Sequence, residues 1–346
     1  MSTSSKFVFD QTLDGSALDE AGEVARRAES AGAGAMWVSE VNNDPFLPIV
    51  PGALATSTLQ LGTSVAIAFA RSPMTVAMSA HELQAVSRGR FLLGLGTQVR
   101  GHITRRFGMP WSAPAARMAD YVGALHAIWR AWLYEEALDY QGEFYQFSLM
   151  PPMFRPRPHE FGPPKIMIAG VGPRLVRVAA EFGDGLFVHP FTSPAYFGQQ
   201  TEPMVIDGLT ASARSRSEVV VAGGLLTATG ADAETLQQAV EAARRQIAFY
   251  ASTPAYLPVL AAHGWEALQG ELTQLVRDGR WEVLGQAIPD AVLRTFVLVG
   301  SPEEVGEQLV DRWAGLLDRV SLLAPKKVDE VSWSQIRTEA GQRMPR

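Results

Sequence analysis

An α/β fold on a largely parallel sheet of eight strands is what this sequence predicts, and three observations predict it. Short apolar runs rich in β-branched residues alternate with amphipathic helical stretches along nearly all 346 residues. The hydrophobic fraction of 47% is enough to fill one large core. No repeat shorter than the strand–helix unit is present, which excludes a solenoid. Alternation alone leaves a closed (β/α)₈ barrel and an open doubly wound sheet both standing. Barrels often reach this length as one domain, so a single domain over 1–346 is expected, with a helical cap inserted at about 252–290.

The elements follow in order. Residues 6–9 form a first strand, and Ser16 caps a helix carrying Ala21, Val24, Ala25 and Ala28 at helical spacing, ended by Gly32. Residues 36–39 form strand two and 45–58 the second helix. Strand three spans 60–69, where Val65, Ile67 and Phe69 have high β-propensity. Pro73 opens a helix running to Ser87, and 90–96 form strand four. Met118, Tyr121, Val122, Leu125, Trp129 and Trp132 line one helix face, and the Pro-rich stretch 151–164 is an ordered excursion rather than a linker. Strand five is 165–169, followed by a helix with Leu175, Val178, Ala179 and Phe182. Strand six is 186–188, strand seven begins at 219–221, and a helix covers about 233–250. Residues 252–290, with Trp265 and Trp281, form the cap, and 295–299 are strand-like. Ser301 and Glu304 make a capping box around Pro302, and 319–323 form the last strand.

Composition removes several functions. The net charge of −6 and the absence of a basic stripe argue against nucleic-acid binding. The pairs Arg244-Arg245 and Lys326-Lys327 are expected to be solvated surface. With no cysteine there is no disulfide, thiolate metal site or cysteine nucleophile. The six histidines show no metal-ligand spacing, and no nucleophile elbow or P-loop occurs. No apolar run spans a membrane and no signal peptide is visible, so a cytoplasmic protein is expected.

Two glycine loops remain. Gly94-Leu95-Gly96-Thr97 ends strand four, and Ala169-Gly170-Val171-Gly172-Pro173-Arg174 ends strand five. The second offers backbone N–H groups and a helix N-terminus to an anion. Val99 and Leu175 stand where the dinucleotide fingerprint needs its last glycine, which disfavours Rossmann binding of a nicotinamide. Polar residues follow apolar strands repeatedly: Glu40 after strand two, His102 in the strand-four loop, His189 after strand six. In a barrel such strand ends share the catalytic face.

These pieces resemble the luciferase-like monooxygenases, and among them the deazaflavin oxidoreductases that use coenzyme F420. The likeness covers nearly the whole chain. It rests on Trp37-Val38-Ser39-Glu40, Asp44-Pro45-Phe46-Leu47-Pro48, Leu61-Gly62-Thr63-Ser64-Val65, the run from Gly89 to Gly96, Ala169-Gly170-Val171-Gly172 and Val299-Gly300-Ser301-Pro302-Glu303-Glu304, in that order. The resemblance implies the (β/α)₈ barrel. It also implies a cis peptide at Ser64–Val65 after Thr63, backing the cofactor ring. Further implied are a phosphate site at Ala169, Gly170, Val171 and Gly172, a cofactor-side loop at Gly96 and Thr97, and an acidic group at Glu40 near the ring's polar edge.

Two departures stand out. Val41 replaces the histidine that luciferases and sugar-phosphate dehydrogenases of the family place after the acidic residue, and Val99 replaces the dehydrogenases' glutamate. His189 and His102 are then the candidates for substrate polarisation or proton transfer, the alternative for His189 being a ring satisfied by nearby backbone. The expected activity is hydride transfer between F420 and a small organic substrate. The alternatives are an FMN-dependent monooxygenase fed by a separate reductase and a non-catalytic flavin-binding homologue. A homo-oligomer, most simply a dimer, is expected.

Overall fold

Short apolar strands, each turning into a helix, build the computed structural model, which describes residues 6–13, 18–325 and 328–344. In chain order the elements begin with β1 (Val8–Leu13), α1 (Ala21–Ser30), β2 (Ala35–Val38), α2 (Ile49–Ala55), β3 (Gln60–Thr63), α3 (Pro73–Val86), β4 (Phe91–Gly96), α4 (Arg100–Arg105) and α5 (Pro114–Leu133). There follow β5 (Lys165–Gly170), α6 (Pro173–Phe182), β6 (Gly185–Val188), α7 (Glu202–Ala211), β7 (Val220–Thr229) and α8 (Ala233–Ala251). The remainder is α9 (Leu257–Ala261), α10 (Glu266–Arg277), α11 (Asp290–Phe296), α12 (Pro302–Trp313), β8 (Arg319–Leu323) and α13 (Glu330–Arg343). The strand order is β7-β8-β1-β2-β3-β4-β5-β6, with the short strand Leu298–Gly300 beside β7. The pairs β1–β2, β2–β3, β3–β4, β4–β5 and β7–β8 are parallel. The chain therefore has the (β/α)₈-barrel fold, the one of the two α/β architectures that the family likeness selects.

Burial explains the strand composition. All four residues of β2 and all six of β4 are buried, as strands covered on both faces require. Gly94 in β4 admits no side chain, because a Cβ there would sit 1.8 Å from the Thr63 carbonyl oxygen. Arg90 ties the start of this region together by donating to the Leu59, Ala53 and Thr56 carbonyl oxygens at 2.6, 3.0 and 3.0 Å. The capping box at Ser301 and Glu304 forms as expected.

Several boundaries moved. The second helix starts only at Ile49, because Asp44 Oδ1 accepts the Phe46 N–H at 2.8 Å and turns the chain first. The third strand stops at Thr63, resumes for Ala66–Ile67 beside β4, and becomes a 3₁₀ turn over Ala68–Ala70. Thr295 and Phe296 belong to a helix rather than a strand; Arg312 donates to the carbonyls of Arg294, Thr295 and Val297 and finishes α11 there. Arg244 is not free surface: it pairs with Asp290 and donates to the Ile288 carbonyl. Ser16 and Lys326-Lys327 lie outside the described residues. No helix among the described residues is long and apolar enough to cross a membrane.

The chain divides into two compact units. One comprises Asp10–Phe187 and Met204–Val220 and holds β2 to β5. The other comprises the described residues of Met1–Phe9, Val188–Pro203 and Val221–Arg346. Its core gathers Phe191, Ile247, Leu260, Leu272, Leu284 and Phe296, so the helices of 252–290 pack on α8. The stretch read as a cap is helical, with α9, α10 and a 3₁₀ segment at Trp281–Ala287.

Candidate active site

The first unit brings together most of the residues expected to hold a cofactor. The peptide Ser64–Val65 is cis. Ser64 and Val65 are the two partly exposed residues between the buried runs Leu61 to Thr63 and Ala66 to Phe69. Both sides of the break are pinned. Thr63 Oγ1 donates to the Gly94 carbonyl at 2.7 Å and accepts the Gly94 N–H at 2.9 Å, locking β3 to β4. The Ser64 N–H reaches the Val38 carbonyl at 2.8 Å, and Ser39 Oγ donates to the Ser64 carbonyl at 2.9 Å.

Val65 faces Gly96: a Cβ on Gly96 would come 2.5 Å from Val65 Cγ2 and 3.9 Å from the Ala169 Cβ. Three predicted residues from three strand ends thus meet. Thr97 follows, half-buried, its hydroxyl donating to the Gln98 carbonyl at 3.1 Å.

Glu40 lies beside this break, but not as a free acid. Its Oε2 accepts the Ile67 N–H at 2.7 Å, and Arg71 Nη1 donates to Oε1 and Oε2 at 2.9 and 2.7 Å. The Glu40 side chain is only 6% exposed. Arg71 also reaches Asp44 Oδ2 at 3.0 Å. Burial alone would lower the Arg71 pKa, but its two carboxylate partners outweigh that and raise it. Glu40 therefore holds the chain just after the cis bond as a paired carboxylate. Sequence reading missed Arg71, although the apposition of an acidic strand end and an arginine after strand three was a usable signal.

The Ala169–Gly172 loop leads into α6. Gly170 packs closely on the helix, a Cβ there falling 3.0 Å from the Val176 N. Val171 is half-buried and Gly172 exposed. Gly172 is the N-cap, with φ −81° and ψ 153°, and a Cβ on it would meet nothing within 4 Å. Neither backbone conformation nor packing asks for glycine here. An open, side-chain-free helix N-terminus fits a bound phosphate.

His102 sits on α4 in the same unit with its side chain exposed. His189 belongs to the second unit, directly after β6. Its Nδ1 accepts the Phe191 N–H at 3.0 Å, and its Nε2 lies 2.8 Å from the Tyr256 hydroxyl. Local backbone thus satisfies only one ring nitrogen. Burial pushes the His189 pKa down from 6.5 to about 3. Tyr256 and Tyr250 flank the ring at centroid distances of 4.6 and 4.9 Å. An open recess of ≈ 490 Å³ in this unit is lined by Ser193, His263, Arg294 and Arg312 and by none of the expected site residues.

The fold and the glycine-rich strand ends define a (β/α)₈ barrel whose candidate site gathers where its strands end. The chain belongs to the luciferase-like monooxygenase family, whose model matches residues 1–319. An uncharacterised protein of Mycobacterium tuberculosis is 44% identical over 311 residues, covering 89% of this chain and 92% of its own. A putative coenzyme F420-dependent oxidoreductase of the same organism is 27% identical over 307 residues, covering 83% and 85%. In structure, the coenzyme F420-dependent tetrahydromethanopterin reductase from Methanopyrus kandleri superposes with a TM-score of 0.81 at 16% identity, covering 98% and 99%. The FMN-bound oxygenating constituent of 3,6-diketocamphane monooxygenase from Pseudomonas putida gives 0.67 at 15%, covering 98% and 100%. The proteins this chain is similar to thus include ones named for coenzyme F420 and one solved with FMN.

Proposed function

We propose that this protein transfers hydride between coenzyme F420 and a small organic substrate. The observation that carries the reading is Gly172, a glycine that neither conformation nor packing explains, at the N-terminus of a helix that follows a strand end. The deazaflavin, when bound, donates or accepts the hydride. The chain's own residues bind and orient. Ala169, Gly170, Val171 and Gly172 hold the phosphate end. Thr63, Ser64, Val65, Gly96 and Thr97 form the surface against which the ring rests. Glu40, tied to Arg71, keeps that surface in place. His189 and His102 are assigned to the substrate. The preference for F420 over FMN rests on the similarity to the putative F420-dependent oxidoreductase.

Titration of the purified protein with each cofactor, read by absorbance and fluorescence, tests the reading. Tighter binding of F420 than FMN and turnover without oxygen are expected. Tighter FMN binding with oxygen-dependent product would move the protein to the reductase-fed monooxygenases, and binding of neither would leave a non-catalytic homologue. With exposed Val41 and Val99 at the two departed positions, glucose 6-phosphate is expected to give no F420 reduction. Robust turnover of that sugar would overturn the reading of both.

The proposal includes a cytoplasmic homodimer. Leu47, Val50 and Leu54, at and beside α2, are 57%, 39% and 72% exposed, an apolar stripe suited to a second copy. Sedimentation of the wild type against Leu54→Asp checks it, with a shift toward monomer expected.

A further inference from the structure

The hydrogen bonds around His189 fix a proton on a neighbouring side chain. The Phe191 N–H points at Nδ1, so Nδ1 must carry a lone pair. The neutral ring is then the Nε2–H tautomer, and Nε2 donates to the Tyr256 oxygen at 2.8 Å. The reverse arrangement, Tyr256 donating to Nε2, would place a proton on Nδ1 against the Phe191 N–H. Tyr256 is therefore an acceptor toward His189. Among the described residues its hydroxyl has no other hydrogen-bond partner, so its own proton is uncommitted. The groups packed around the pair are aromatic: Tyr250 and Phe191 lie 6.0 and 5.7 Å from the Tyr256 ring, centroid to centroid. Among the described residues no carboxylate or ammonium acts on either group.

We infer that Tyr256 is the residue that recognises the substrate, donating its hydroxyl proton to a carbonyl or hydroxyl oxygen on an otherwise apolar, uncharged molecule, and that His189 is a positioning residue that orients it. This rests on the oxidoreductase reading for what happens next, and reassigns the substrate contact from the histidine to the tyrosine. An aromatic, uncharged surround with a single directed donor favours a neutral ketone or alcohol and disfavours a phosphorylated or zwitterionic compound. Burial raises the Tyr256 pKa, which keeps the hydroxyl protonated as a donor across the neutral range.

The test uses acetophenone labelled with carbon-13 at the carbonyl, bound to the full-length protein without cofactor, and reads the carbonyl infrared frequency and the Kd. Wild type is expected to lower the frequency relative to Tyr256→Phe, and Tyr256→Phe to bind about tenfold more weakly, as loss of one hydrogen bond gives. His189→Leu should lose most of the shift, and His189→Gln, which keeps an N–H donor, should recover part of it. Thermal melts of the variants establish that they are folded. Equal frequency and affinity in wild type and Tyr256→Phe, or no binding of the probe to wild type, would overturn the assignment. A carbonyl shift in a protein that fails to bind F420 would leave Tyr256 as the donor and remove only the hydride reading.

Discussion

At the scale of single residues, the site is held by charges and tautomers that spacing along the chain does not reveal. Glu40 stood out as an acidic residue after a strand, but its role depends on Arg71, and only the fold makes them neighbours. Arg71→Ala strands a nearly buried carboxylate with a single N–H donor. It is expected to destabilise the protein by about 1–3 kcal/mol, the pair being partly exposed, as urea unfolding would measure. His189 offers a check by pH. Its folded pKa of about 3 lies below the ordinary 6.5, so the unfolded chain binds the proton first. Its contribution to stability is complete above pH 6.5 and is lost as pH falls toward 3. Nitrogen-15 spectra between pH 8 and 5 should show a neutral, Nε2-protonated ring throughout; titration near 6.5 would contradict the buried geometry. Glu29 behaves in the same direction. Burial works against its charge, but hydrogen bonds from Ser57, Thr58 and Leu59 outweigh it and lower the pKa from 4.5 to about 2. That anchor is lost as pH falls from 4.5 to about 2, and Glu29→Gln should flatten stability in that window.

At the scale of elements, legibility followed local chemistry. Helices with a Ser or Pro at the start were readable: Ser72 caps α3 by accepting the Thr75 N–H at 3.2 Å, and Ser301 caps α12. The C-terminal α13 was not readable. Its buried residues, Ser332, Trp333, Ile336 and Ala340, include only three apolar side chains in 14 residues, too sparse a stripe to show in periodicity. The strand-three break carried a family signature but no propensity signal, since Val65, Ile67 and Phe69 all favour strand. Two substitutions separate structural glycines from functional ones. Gly94→Ala drives a methyl into the Thr63 carbonyl and should cost about 1–3 kcal/mol by thermal or urea unfolding. Gly172→Leu finds open space, so its melting temperature should match wild type while cofactor affinity falls sharply. Equal affinity in that folded variant would remove the phosphate assignment.

At the scale of the molecule, alternation of strand and helix supplied the α/β class, and resemblance supplied the barrel, because βα periodicity is the same in open and closed sheets. The division into two compact units was not legible, and its boundaries show why. They fall inside β1, at the end of β6, within α7 and inside β7, never in a linker whose composition would mark it. We propose on that ground that 1–346 behaves as one domain. One calorimetric transition is expected, and two resolved transitions would refute it.

The N-terminal strand has a consequence for biosynthesis. The Val8 N–H bonds the Asp318 carbonyl at 2.9 Å, and the Phe7 N–H approaches the Met344 sulfur at 3.1 Å. These partners come far later in the chain, Met344 standing 337 residues after Phe7. At roughly 5–20 residues per second, that is a wait of roughly 15–60 seconds. Until Asp318 and Met344 are made, this side of the segment is an unpaired edge, the kind of surface that chaperones cover and that aggregation exploits. Stops before Asp318 should therefore yield insoluble chains rather than shortened soluble ones, even though the residues proposed to hold the cofactor were completed long before.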